Sequence, residues 1–176
     1  YMSVKAANLF PDRFAALILV DSGIRHPDEP VPDRPPMGGR AKRYPDRETA
    51  LTRFRLQPPQ TCENQYILDY IARHSLMPAD GGWTWKFDPR VFVRFSMKPM
   101  SDYLADARCR VAVLRAEFSD LVPPETGEYM YELLDRNAPI VELPQAHHHL
   151  ILDQPLALIA ALRAIRAKHP AELIGA

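Results

Sequence analysis

Three consecutive histidines, His147, His148 and His149, are the densest chemistry in this chain. An imidazole titrates near neutral pH and acts as a general base once a carboxylate fixes its tautomer. Two aspartates are placed for that partnership, Asp21 and Asp120. Each follows an apolar run, as the histidines do: residues 14–20 precede Asp21, residues 110–116 precede Asp120, and residues 140–143 precede the histidines. A metal centre is the competing chemistry. It is not expected, because adjacent side chains on an extended loop diverge and no other His or Cys completes a site. Cys62 and Cys109 lie far apart and in no ligand spacing, which points to a reduced compartment. No cofactor is expected either.

The elements that must position these groups follow from periodicity. Residues 14–20 (FAALILV) are apolar throughout and bounded by turn residues. That fits a strand buried on both faces, as in a parallel sheet covered by helices. Residues 110–116 (RVAVLRA) and 139–143 repeat the pattern. Helical spacing predicts helices over 1–9, 102–107, 124–135 and 155–168, the last with Leu158, Leu162 and Ile165 on one face and Arg163 and Arg166 on the other. Strands alternating with helices imply a parallel sheet with right-handed crossovers. Loops after parallel strands gather at one edge, so Asp21, Asp120 and the histidines would meet there. The expected class is α/β, part of a doubly wound and mostly parallel sheet.

Between the first two strands lies a long excursion. It opens with a Pro-rich loop whose basic residues are diluted by Asp33, Asp46 and Glu48, so a solvated linker is expected rather than a phosphate site. Helices are expected over 46–54 and 64–74, the second with Asn64 as N-cap. Trp83, Trp85 and Phe87 alternate with polar residues after the turn at 80–82, and Phe92 continues the apolar character. These four aromatics could line a pocket for an apolar or aromatic small molecule, or form the core of the excursion itself. The expected organisation is a core of residues 1–23 and 108–176, with 24–107 as a mainly helical cap or lid.

Bulk composition narrows the partners. Lys plus Arg balances Asp plus Glu at 22 each, giving no electrostatic reason for a nucleic acid or anionic membrane partner. No apolar run has the length of a membrane span. A small-molecule substrate and a cytoplasmic setting are expected, and the oligomeric state is left open. The chain starts at Tyr1 inside a helical pattern without a start signal. The expectation is a piece of a longer protein, so a signal peptide lies outside the view.

Three segments, in order, resemble the C-terminal part of an α/β-hydrolase with an inserted cap. Residues 10–22 resemble the helix end and strand that follow the nucleophile. Residues 113–123 resemble the strand and loop that deliver the acid. Residues 146–155 resemble the histidine loop, in which the catalytic His stands seven residues before a helix-opening proline, here His148 before Pro155. The resemblance implies His148 as base and Asp120 as acid, with Asp21 as the alternative acid. It also implies a nucleophile on a G-x-S-x-G elbow. None of Ser3, Ser22, Ser75, Ser96, Ser101 or Ser119 has that context, so this chain alone is expected to be inactive. The implied reaction is hydrolysis of an ester-like bond. The fold also serves epoxide hydrolases, haloalkane dehalogenases, C–C hydrolases and non-catalytic ligand-binding proteins, and the elbow residue separates several of these.

Overall fold

The computed structural model describes residues 2–29, 39–92 and 100–167 of the 176, except the side chain of Phe92. In chain order it forms helix α1 (Met2–Leu9), strand β1 (Ala16–Val20), helices α2 (Arg47–Leu51) and α3 (Gln65–His74), and strands β2 (Leu76–Ala79) and β3 (Gly82–Trp85). Helix α4 (Ser101–Ala105), strand β4 (Arg110–Ala116), helix α5 (Pro124–Leu133), strand β5 (Ile140–Leu143) and helices α6 (Leu150–Asp153) and α7 (Pro155–Ala167) follow. The chain divides into two compact units, Tyr1–Glu29 with Lys98–Ala176, and Pro30–Met97.

The first unit holds a parallel sheet of order β1-β4-β5. Strands that bury both faces cannot alternate apolar with polar residues, and β1 and β4 show why here. Leu17, Leu19 and Val113 enter one cluster with Val4 of α1, Leu104 of α4 and Met130 of α5. Leu114, Ala116 and Leu143 enter a second with Ala146, Leu150 and Leu158, against which Ile18 also packs. Each fully buried Leu or Val side chain contributes about 1.5–3 kcal/mol of transfer free energy. These two clusters therefore anchor the strand ends from which the histidines and aspartates project.

One buried charged side chain breaks the apolar pattern of β4. Arg115 is buried, lies beside Glu142 in the β4–β5 register and forms an ion pair with it. Its Nε donates to the carbonyl of Val122 at 3.1 Å. Gly127 of α5 sits over the arginine, where an added Cβ would stand 3.4 Å from Arg115 Cδ. The arginine thus ties the loop after β4 to the middle of the sheet.

The second unit is built on the β2–β3 antiparallel hairpin. Asp46 caps α2, accepting from the Thr49 N–H at 2.6 Å. Tyr44 and Trp83 exchange backbone hydrogen bonds, both 2.8 Å. The Trp85 ring lies 6.2 Å from Tyr44 and 5.6 Å from Phe54. Gly82 has a φ of +146°, and a Cβ there would collide with the carbonyl of Tyr44. Two expectations are adjusted. Asn64 occupies the N-cap position of α3 without a side-chain capping bond, and α2 spans only Arg47–Leu51 rather than 46–54.

Candidate active site

Asp21 follows β1 directly and takes a φ of +45°. Among residues with a Cβ, Asp and Asn tolerate this left-handed region best. The turn directs the carboxylate sideways, across the end of the neighbouring strand β4. There Oδ1 accepts the Ala116 N–H at 2.8 Å, and Oδ2 accepts the Ser119 hydroxyl at 2.6 Å. The side chain is fully buried. Two residues on, Gly23 lets the chain pass close by, since an added Cβ would stand 2.8 Å from the Leu121 carbonyl oxygen.

The histidine loop is fastened to the same strand end. Glu117 N donates to Leu143 O at 3.0 Å and Phe118 N to Ala146 O at 2.9 Å. Gln145, in the left-handed region at φ +52°, donates its N–H to Glu117 Oε2 at 2.8 Å. The far side of the loop is held by Asp153 of α6, which accepts the His147 N–H at 2.8 Å. With both ends fixed, His148 Nδ1 meets Asp21 Oδ2 at 2.8 Å. The imidazole keeps 27 % side-chain exposure, against none for the carboxylate. A buried carboxylate on one ring nitrogen and a solvent-reaching ring make an oriented base.

The carboxylate bound to His148 is therefore Asp21. Asp120, ranked ahead of it from sequence, points outward and is exposed. The reason is local. Ser119 N donates to Ala116 O at 3.2 Å, and Ser119 Oγ accepts from Leu121 N at 3.1 Å and Val122 N at 3.0 Å. This serine turn puts residue 119, not 120, on the inner side of the loop. Ser119 is the site residue that sequence reasoning missed. Its signal was a Ser placed two and three residues before backbone donors in a loop ending at Pro123.

His147 packs its ring 5.5 Å from Phe118, and His149 stands edge-on to His148 at 5.0 Å. Trp83 and Trp85 belong to the second unit, where Arg47 lies 5.8 Å over the Trp83 ring. Trp85 and Phe87 line an open cleft of about 420 Å³ in that unit, together with Arg40 and Met77. Phe92 ends a 3-10 turn, and its side chain lies outside the described residues. Among the described residues no group of three or more His, Cys, Asp or Glu is placed to hold a metal ion. No helix of the described residues is long and apolar enough to cross a membrane.

No protein-family model matches the sequence, and no curated protein matches it. Solved structures do. A thioesterase domain from the curacin biosynthetic pathway superposes with a TM-score of 0.65 at 20% identity, covering 92% of this chain and 62% of its own. An esterase from Mycobacterium tuberculosis gives 0.70 at 18% identity, over 94% of this chain and 57% of its own. A hypothetical protein from Pseudomonas aeruginosa gives 0.62 at 26% identity, over 94% and 62%. The chain has the α/β-hydrolase fold. It spans less than two thirds of the length of each of these hydrolase-fold chains. In this fold the loops after successive parallel strands carry the reactive groups, and here they bring Asp21, Ser119 and His148 together.

Proposed function

We propose that the protein carrying this sequence is a hydrolase of an ester-like bond in a small molecule. His148 is its base and Asp21 its acid. One observation carries the reading: the 2.8 Å contact between His148 Nδ1 and a fully buried Asp21 carboxylate. With Nδ1 engaged, Nε2 is the nitrogen that takes a proton. It removes the proton of a nucleophilic hydroxyl as that oxygen attacks the substrate carbonyl, and delivers it to the departing alcohol. Asp21 stabilises the imidazolium formed in between. A water then attacks the acyl group, losing its proton to Nε2, which passes it to the departing nucleophile oxygen as the acid is released. The nucleophile is outside these 176 residues, since no serine here stands in G-x-S-x-G. The unit Pro30–Met97, inserted between β1 and β4, is the proposed cap. The names of similar structures, a thioesterase and an esterase among them, support acyl chemistry.

The test is a fluorophosphonate probe on the full-length protein. Wild type is expected to be labelled, His148→Ala and Asp21→Ala to lose labelling by on the order of 10³–10⁴-fold in rate, and Asp120→Ala to keep it. A protein that resists the probe and carries Asp at the elbow belongs with the epoxide hydrolases and dehalogenases. One that resists it and has neither residue there is a ligand-binding member of the fold. Loss of labelling in Asp120→Ala with retention in Asp21→Ala would overturn the acid assignment.

A further inference from the structure

The second unit carries a charge that the balance of the whole chain conceals. Between Pro30 and Met97 the sequence has eleven Lys and Arg against seven Asp and Glu, while the chain has 22 of each. Part of this excess is gathered at the open cleft of about 420 Å³. Among the described residues its lining carries three cations, Arg40, Lys86 and Arg90, and one carboxylate, Asp88. Arg90 grips that carboxylate through Nε and Nη2, both at 3.0 Å, and these bonds hold the Asp88 carboxyl below its ordinary range. Asp88 is thereby neutralised within the lining. Arg40 and Lys86 form no ion pair among the described residues.

The rest of the lining is largely apolar. Phe87 is 56% exposed and Met77 42% exposed, beside the Trp85 ring. Large apolar side chains left in water next to unpaired cations suit a molecule with an apolar body and a negative group. The walls are also built in advance. Thr84 Oγ1 donates to the Lys42 carbonyl at 2.9 Å, which ties the 39–41 wall to β3. Trp85 Nε1 donates to the Tyr44 hydroxyl at 3.4 Å, which steadies the ring. A preformed wall loses little freedom when a ligand arrives.

We propose that this cleft binds an amphipathic carboxylate, an acyl or aryl acid whose negative group is drawn by Arg40 and Lys86 and whose body lies against Trp85, Phe87 and Met77. A phosphate fits the lining less well. Phosphate sites gather free backbone N–H groups at a helix start, and the short 3-10 turn at Pro89–Phe92 is already served by Asp88 Oδ1, which accepts the Arg90 N–H at 2.9 Å. Acids of this class are what ester hydrolysis releases. That the cleft holds the reaction's product rests on the hydrolase reading; the binding itself does not.

The experiment is calorimetric titration of the full-length protein with decanoate and with decanol, its uncharged counterpart. Wild type is expected to bind decanoate more tightly than decanol. Arg40→Gln/Lys86→Gln is expected to weaken decanoate roughly tenfold, the scale of two ion contacts at a protein surface, and to leave decanol unchanged. Phe87→Ser is expected to weaken both. Arg53→Gln/Arg73→Gln removes equal charge from exposed positions outside the lining and is expected to change neither. The side chains replaced are all exposed, so the variants keep the fold. No decanoate binding, equal affinity for decanol, equal weakening by the two charge-removing variants, or displacement of decanoate by inorganic phosphate would each overturn the proposal. Protein already labelled by the fluorophosphonate probe is expected to bind decanoate as before; loss of binding would put the ligand at the nucleophile instead and overturn the cleft. Binding by a protein that resists the probe would keep the cleft and remove the hydrolase reading. Labelling without binding would do the reverse.

Discussion

At the scale of single residues, the site depends on how closely two backbones approach. The turn after Asp21 runs under the loop that presents Ser119, with Gly23 at the contact. A methyl group there would meet the Leu121 carbonyl oxygen at 2.8 Å, Thr126 Cγ2 at 3.1 Å and Val122 Cγ2 at 3.2 Å. The first of these is backbone and cannot rotate away. Leu121 and Val122 are also the residues whose N–H groups Ser119 accepts, and Arg115 holds the Val122 carbonyl from below. Gly23→Ala is therefore expected to cost about 1–3 kcal/mol, the range for forcing extra volume into a packed region. A urea titration reads this as a lower midpoint, and an unchanged midpoint would mean that the loop yields freely. The variant should also broaden the Ser119 and His148 resonances, since the strain falls on their support.

At the scale of elements, α2 is short and depends on its cap. Asp46 accepts both the N–H and the hydroxyl of Thr49, at 2.6 and 2.9 Å. The Thr49 N–H, then its hydroxyl, holds the Asp46 carboxyl below its ordinary value of 3.8. A carboxyl depressed in the folded state stabilises it above the unfolded value and loses that contribution as the pH falls through the folded one. Removing the cap with Asp46→Ala should lower stability at neutral pH, and the gap from wild type should close below pH 3.8. Denaturation followed at a series of pH values checks this; a gap independent of pH would mean that α2 does not need the charged cap. How much was legible follows from the same local physics. The continuous apolar runs of β1 and β4 announced a sheet covered on both faces. Strand β2 did not show itself, because Leu76–Ala79 begins just after a helix and contains Pro78, and its pairing with β3 is a property of the hairpin rather than of four residues. The histidine loop was legible as a loop but not its α6 turn, which is short. The choice between Asp21 and Asp120 turned on a single residue of loop conformation. The serine turn at 119 decides which side chain faces inward, and hydrophobic periodicity carries no information about that.

At the scale of the whole molecule, the sheet of the first unit is narrow for what it must bury. Among the described residues β1 pairs only with β4, leaving its other edge a row of backbone donors and acceptors. Such an edge templates pairing with another chain unless it is covered or charged. Here β1 reads Ala-Leu-Ile-Leu-Val, with no charge and no proline. Apolar side chains are exposed on the neighbouring segments too: Met2 and Leu9 of α1, Phe10 after it, and Val20 at the end of β1. Exposed apolar side chains beside an open edge favour association over a free monomer. The 176-residue chain, expressed by itself, is accordingly expected to sediment as oligomers that grow with concentration and to bind a hydrophobic dye. Ile18 faces the interior, so a charge there would damage the core. Val20, at the exposed end, can carry one. Val20→Lys should shift the chain toward monomer in sedimentation velocity while leaving its far-ultraviolet circular dichroism unchanged. A wild-type chain that stays monomeric across the concentration range would show that the β1 edge is already protected.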